Sequence, residues 1–163
     1  MGAIDVVRAV FDEYGFTWEE DGYHADLYDV PKHYLDQGDL FYVAVQAGSV
    51  VGTVAIEFFE TIRGDEVEIV EGMTRLSTTD CALLRLYVVP AARGQGVGQT
   101  LLETARHAGA QRGRKRMEIW SDKRFSDAHR LYQRLGARIV TDRVCNDPDE
   151  SPEWGLVLDL EGA

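Results

Sequence analysis

The sequence has little cysteine, little proline and no long apolar run. The two cysteines, Cys81 and Cys145, form no CxxC motif, and no pair of histidines stands at metal-ligand spacing. This pattern predicts neither a disulfide framework nor a metal site, and it fits a reducing cytoplasm. No stretch approaches the length of a membrane span, and the start has no basic region or apolar run typical of a targeting signal. We therefore predict a cytoplasmic protein without a membrane partner.

Basic side chains are also in short supply. The chain carries 17 lysines and arginines against 28 aspartates and glutamates, a formal net charge of -11. Such a field repels phosphate backbones, so we predict no nucleic-acid partner. One local exception is a basic cluster, which either faces a phosphate-bearing ligand or forms a solvated basic face. Its members are Arg106, Arg112, Arg114, Lys115, Arg116, Lys123 and Arg124.

The length of 163 residues and the hydrophobic content of 45% are ordinary for one folded domain, which we predict over residues 1–163. Apolar steps of three and four residues predict a first helix over 4–14, ended near Gly15, and a short helix follows from Pro31 through Gln37. Two β-branched runs, 40–47 and 50–59, predict a hairpin around Gly48-Ser49.

The second half of the chain alternates strands and helices. The segment before it allows a short extra strand over 67–70. Strands are predicted over 82–89, 116–121, 137–144 and 154–160. A helix with apolar residues from Val97 to Ala108 ends at Gly109 or Gly113, and Ser126 caps a further helix that ends before Gly136.

The join between a strand and a helix at residues 84–98 carries the strongest functional signal. The strand stops at Pro90, and Arg93-Gly94-Gln95-Gly96-Val97-Gly98 opens the next helix. Glycines let a loop approach an anion closely, and a helix start offers free N–H groups and the positive end of the helix dipole. A pyrophosphate fits this join. The alternative is a glycine-rich turn that only connects strand and helix.

The same join resembles the GNAT acetyltransferase superfamily, whose signature Arg/Gln-x-x-Gly-x-Gly/Ala is met by residues 93–98. Leu86-Tyr87-Val88, Pro90 and Leu101-Leu102 also stand where that family has them. The resemblance implies a mixed α/β fold: a mainly antiparallel central sheet flanked by helices, with one splayed pair of parallel strands. It also implies acetyl-CoA as acyl donor, bound by Leu86, Tyr87, Val88, Arg93, Gly94, Gln95, Gly96, Val97, Gly98 and Gln99. Homodimers are common in such families.

A second block, residues 128–137, looks like the family segment Ala-x-x-Leu-Tyr-x-x-Leu-Gly-Phe. The family's tyrosine there commonly protonates the departing thiolate, which implies that role for Tyr132. The alternative is an aromatic on the buried stripe of an amphipathic helix. Many members carry a coenzyme-binding asparagine shortly before this block, and Phe125 or Ser126 stands in its place here.

The chain departs from the family at two further points. Only residues 1–3 precede the first predicted helix, which leaves open whether the family's first strand is present. A glutamate that serves as general base in some members falls near Ala82, which leaves the base open. Candidates are Glu57, Glu118, His24 and Glu20, and for each residue by itself a solvated surface group is the favoured alternative. Glu57 is favoured because it follows the apolar run 54–56.

Residues 16–29, here called the front segment, combine acids with aromatics. The resemblance implies direct acetyl transfer to a primary amine without a covalent enzyme intermediate, and it places the acceptor beside this segment. The predicted acceptor-binding residues are Trp18, Glu19, Glu20, Tyr23 and His24. Carboxylates attract an ammonium group and aromatic faces hold its charge, so the prediction is a small cationic amine or a lysine-like side chain. The alternative is an exposed loop solvated by its acids.

Two other classes of protein compete with the acetyltransferase. A non-catalytic acyl-CoA sensor of the same fold would keep the coenzyme site without turnover. A dinucleotide-binding oxidoreductase would use Gly94-x-Gly96 with Glu118 on the next strand. Gln99 at the third glycine position, the spacer 90–92 and the single βαβ unit disfavour the oxidoreductase.

Overall fold

The computed structural model describes residues 2–62 and 67–160. Residue contacts divide the chain into two compact units. Unit one comprises Met1–Glu57 and Leu84–Ala105, and unit two comprises Phe58–Leu83 and Arg106–Ala163. The single domain over 1–163 stays a prediction.

Unit one begins with helix α1, Ala3–Tyr14, which ends at Gly15 in a left-handed conformation (φ 70°) as expected for a glycine cap. Strands β1 (Leu40–Gln46) and β2 (Ser49–Phe58) form the predicted antiparallel hairpin. Its turn is Ala47-Gly48, with φ values of 49° and 80°, one residue earlier than predicted. Both residues adopt positive φ because this turn type matches the strand twist.

The second half of strand β5 (Cys81–Val88) lies beside β2, and helix α3 (Val97–Gln111) starts over this part of the sheet. Gly52 on β2 permits that packing, because a Cβ there would lie 2.7 Å from Leu101 Cδ1. A short helix, α2, covers Val30–His33, and 3₁₀ turns cover Ala25–Tyr28 and Leu35–Gln37. The predicted helix from Pro31 through Gln37 is therefore wrong in detail, since Tyr34 (φ -123°, ψ -66°) interrupts it.

Unit two contains the hairpin of β3 (Val67–Val70) and β4 (Met73–Leu76), of which only β3 was expected from sequence. Its larger sheet has the order β5-β6-β8-β7. Strand β5 pairs in parallel with β6 (Arg116–Asp122) over Cys81–Leu83, opposite Met117–Ile119. Strands β7 (Arg138–Val144) and β8 (Pro152–Asp159) complete it with antiparallel pairs.

The structure tests two predicted helix ends in unit two, the end of α3 and the start of α4. Helix α3 stops before Gly113, which is left-handed (φ 74°), so this glycine rather than Gly109 ends it. Helix α4 covers Ser126–Arg134, with Phe125 as its N-cap residue and no side-chain cap. The prediction that Ser126 caps this helix is wrong by one residue.

The predicted fold class is confirmed: a mostly antiparallel sheet with one parallel pair, flanked by helices. From Gly2 onward, the first described element is α1. None of the described helices has the length and apolar character needed to cross a membrane.

Candidate active site

The turn at residues 93–98 is shaped by two left-handed glycines. Gly94 has φ 74° and Gly96 has φ 81°, and no atom lies within 4 Å of a Cβ built on either residue. At the start of α3, Thr100 N donates to Gly96 O at 3.0 Å. Amides of a first helical turn lack the carbonyl partners that later turns have, and they lie at the positive end of the dipole. The turn therefore has the geometry of an anion site.

The side chains of this turn hold its shape. Arg93 donates from Nε to Val88 O at 3.1 Å and from Nη1 to Glu13 of α1 at 2.8 Å. Gln95 donates to Ala91 O at 3.2 Å and accepts from Gln46 at 3.3 Å. Both side chains therefore contact the scaffold, and Arg93 N donates to Pro90 O at 3.2 Å. We expect the backbone amides of residues 94–98 to face an anion.

A small apolar core packs against the turn. Val6 of α1, Val89 and Ala92 are buried together, and Val88 and Val97 pack against them. Val88, Val89 and Ala92 precede the turn and Val97 lies within it, so the backbone of the turn rests on a packed base. Such support keeps a binding loop preorganised.

The three residues before the turn, Leu86, Tyr87 and Val88, are half-buried on β5. The Tyr87 ring packs edge-on against Phe11 of α1, with centroids 6.0 Å apart. Val89 N donates to Val51 O at 3.0 Å, which continues the attachment to β2. The predicted coenzyme strand, Leu86–Val88, and the turn at residues 93–98, here called the cradle, thus lie in one continuous segment of unit one.

His24, predicted to bind the acceptor, is fully buried. Its ring stacks on Trp18 at 3.8 Å and meets Phe11 edge-on at 4.5 Å. Its Nδ1 lies 3.1 Å from Glu19 N and 3.3 Å from Glu19 O, so this nitrogen is bound to that backbone in either tautomer. Burial, followed by the charge of Arg85, lowers the pKa of His24 to about 4. A weakly basic ring without exposed surface is a poor general base at neutral pH.

The aromatic faces of the front segment already carry arginines of the chain. Arg8 lies 4.5 Å from the Trp18 ring centroid, while His24 stacks on that ring. Arg85 lies 4.8 Å from the Tyr23 ring centroid. Both rings therefore already contact an arginine of the chain, which weakens the cation–π part of the acceptor prediction. The binding roles of Trp18 and Tyr23 stay predictions.

The acids of the front segment divide into engaged and exposed groups. Glu19 accepts a hydrogen bond from Tyr23 N at 2.9 Å, so it stabilises the local turn. Asp26 is paired with Arg85 at 2.6 Å. Glu20 and Asp21 are exposed. Only part of the predicted acidic cluster is thus available to attract an amine.

In unit two, Tyr132 is 4% exposed and lies on α4. Phe125 and Ser126 stand at the start of the same helix, where His129 contacts Ser121 Oγ at 3.1 Å. The coenzyme roles of these residues stay predictions.

The remaining base candidates differ in burial. Glu118 is 1% exposed, pairs with Arg75 and accepts from Leu76 N at 3.0 Å. It is therefore a structural anchor, which also removes it as a ribose-binding acid. Glu57 is half-buried near the end of β2. Within residues 2–62 and 67–160, no cluster of three ligating side chains suits a metal ion.

Several side chains that shape this site gave no signal in the sequence. Glu13 holds Arg93 from 80 positions away, and Asp26 holds Arg85 from 59 positions away. A lone arginine inside an otherwise apolar strand, Arg85, was the one local hint. Its partner, Asp26, could not be distinguished by sequence from the other acids of the front segment.

Comparison with known proteins gives three kinds of match. The sequence model of the acetyltransferase (GNAT) family matches residues 5–137. The uncharacterized N-acetyltransferase YjgM of Escherichia coli is 29% identical over 133 residues, which cover 80% of this chain and 71% of that protein.

Two crystal structures show the likeness of fold. A GNAT-family acetyltransferase from Staphylococcus aureus has a TM-score of 0.72 at 18% identity, over 98% of this chain and 91% of that one. A GNAT-family acetyltransferase from Elizabethkingia anophelis, with acetyl-CoA bound, has a TM-score of 0.59 at 15% identity, over 80% and 82% of the two chains.

Proposed function

This chain belongs to the acetyltransferase (GNAT) family, and from that premise we propose that it is an N-acetyltransferase that uses acetyl-CoA. The turn at 93–98 is the observation that carries the proposal. Two left-handed glycines place backbone amides at the start of a 15-residue helix. Such a helix start favours a pyrophosphate group. The acetyl-CoA held by the Elizabethkingia relative supports the choice of coenzyme.

The proposed reaction is direct transfer. The nitrogen of a neutral primary amine attacks the thioester carbonyl, a C–N bond forms, and the C–S bond breaks. A backbone N–H of Leu86–Val88 polarises the carbonyl oxygen, and the Tyr132 hydroxyl gives its proton to the departing thiolate. The amine loses its own proton to water or to a base, for which Glu57 stays our candidate. No covalent enzyme intermediate is required.

The proposed acceptor is a primary amine of a small molecule or of a protein. A cationic acceptor is supported by the exposed acids Glu20 and Asp21 and by the net charge of -11. Both cysteines are buried thiols outside any disulfide, which supports the proposal of a cytoplasmic location.

A panel of primary amines, assayed by thiol release from acetyl-CoA, tests the proposal. We expect turnover with at least one amine and none with the Gly96→Asp variant, whose added carboxylate repels the pyrophosphate. Acetyl-CoA binding without turnover across the panel would instead favour a coenzyme sensor of the same fold. Absence of binding would reject the acyl-CoA site altogether.

A further inference from the structure

Arg85 has an unusual backbone conformation within β5. Its φ of 53° is left-handed, a conformation that costs free energy for a residue with a side chain. Among the described residues, the other non-glycine residues with positive φ lie between strands: Ala47, Glu71, Thr78 and Glu150. A strained residue inside a strand persists only where its surroundings hold it in place.

Both the backbone and the side chain of Arg85 are held. The hydroxyl of Thr53, fully buried on β2, donates to Arg85 O at 2.7 Å. The guanidinium binds Asp26 through two hydrogen bonds, Nε to Oδ2 at 3.0 Å and Nη2 to Oδ1 at 2.6 Å. The side chains of this pair are 9% and 18% exposed. The two-point geometry makes the pair more directional than a single contact.

The other end of this network lies in the front segment. Arg85 Nη2 also donates to Tyr23 O at 2.5 Å, and Asp26 accepts from the Tyr34 hydroxyl. Burial by itself raises the pKa of Asp26, but the hydrogen bonds and charge of Arg85 outweigh it and leave that pKa below its ordinary value. Asp26 is therefore ionised at neutral pH, and an ion pair fastens residues 23–26 to the strand.

We infer that Arg85 is a positioning residue for acetyl transfer, an inference that rests on the proposed function. The next residues, Leu86–Val88, are those whose backbone is proposed to bind the acyl donor. A reversed φ at Arg85 turns the peptide plane that follows, so it sets the direction of these amides. The same side chain seats the front segment, where the acceptor is proposed to bind. Arg85 aligns both substrates without touching the reacting atoms.

A purely structural role makes a different prediction. Buried ion pairs often add little net stability, although removing one partner is costly. The chain offers a matched control in unit two, because Arg143 and Glu153 form a pair at 2.9 Å with side chains 14% and 10% exposed. If the Asp26–Arg85 pair only stabilises the fold, breaking it should change kcat and KM no more than breaking the Arg143–Glu153 pair does.

The test compares Asp26→Asn with Glu153→Gln. We expect Asp26→Asn to lower kcat by about tenfold or more and to raise the KM for the amine, while the thermal shift given by acetyl-CoA persists. Glu153→Gln should lower the melting temperature but keep kcat and KM within about twofold of wild type. Equal kinetic losses in both variants, or none in Asp26→Asn, would overturn the inference.

A second variant guards against failure of Asp26→Asn to fold. Thr53→Val removes the hydroxyl that holds Arg85 O and leaves the ion pair in place. It should lower kcat while keeping the coenzyme thermal shift, and unchanged kcat in this variant would count against the inference.

A binding measurement separates the inference from the proposed function. Calorimetry should show that wild type binds acetyl-CoA more tightly than free CoA, and that Asp26→Asn reduces this preference. If the wild type is active and the variants keep its kcat, its KM and its preference for acetyl-CoA, only the role of Arg85 is rejected. A wild type that neither binds nor turns over acetyl-CoA rejects the proposed function and this inference with it.

Discussion

At the scale of single residues, the glycines of the cradle make the sharpest test. An aspartate at Gly96 combines a strained left-handed conformation with a negative charge beside the helix start (φ 81°). We expect Gly96→Asp to abolish the rise in melting temperature that acetyl-CoA gives, because a ligand stabilises only the state that binds it.

The matched control for this change is Gly38→Asp. Gly38 is also left-handed, with φ 86°, and open space surrounds its Cβ position. The strain is therefore similar, but Gly38 lies outside the cradle. Retention of the full thermal shift in folded Gly96→Asp would reject the cradle.

Tyr132 offers a second residue-scale test. Removing its hydroxyl in Tyr132→Phe should keep acetyl-CoA binding and slow turnover by about ten- to a thousandfold, if proton donation to the thiolate limits the rate. The buried position of the ring, 4% exposed, tolerates phenylalanine by shape. Steady-state kinetics beside a Tyr42→Phe control would show this, and unchanged turnover would assign Tyr132 to packing alone.

At the scale of elements, the front segment makes a prediction about the acceptor. Reversing its two exposed acids, in Glu20→Lys with Asp21→Lys, should raise the KM of a cationic amine several-fold and leave the KM of acetyl-CoA unchanged. The effect should weaken at high salt, since exposed charges are screened within about 10 Å at 0.1 M. Glu19 is left intact because its carboxylate supports the turn at Tyr23.

A charge reversal of the exposed Glu60 controls for the change in net charge. An acceptor that proves neutral or anionic, or a KM that does not move, would reject the cationic acceptor. The acetyltransferase assignment would survive either result.

At the scale of the whole molecule, the buried histidine makes stability depend on pH. Burial, with the charge of Arg85, lowers the His24 pKa from 6.5 in the unfolded chain to about 4. The unfolded state therefore binds more protons between these values, and stability falls as pH falls from 6.5 toward 4. We expect a loss of no more than about 3 kcal/mol from this group.

Chemical denaturation between pH 7 and pH 4 measures this loss. The His24→Gln variant should show a shallower dependence on pH than wild type. His129, whose pKa burial also lowers, provides the comparison in unit two. If the free energy of unfolding depends on pH in the same way for wild type and His24→Gln, the lowered pKa of His24 is contradicted.

Local patterns in the sequence were enough to predict most elements and the position of the cradle. The hairpin of β1 and β2, the end of α1 at Gly15 and the glycines before α3 all follow from spacing among near neighbours. Backbone conformation and periodic burial are set largely by such short-range preferences. The interrupted helix at Tyr34 was missed because tertiary contacts override weak helical propensity.

Only the tertiary structure decided which side chains are available for chemistry. Trp18 and Tyr23 looked open to a cation, but folding brings Arg8 and Arg85 over their rings. Asp26 looked like one acid among several until folding paired it with an arginine 59 positions away. Spacing along a chain carries no record of such distant partners, because they meet only when packing of the whole unit brings them together.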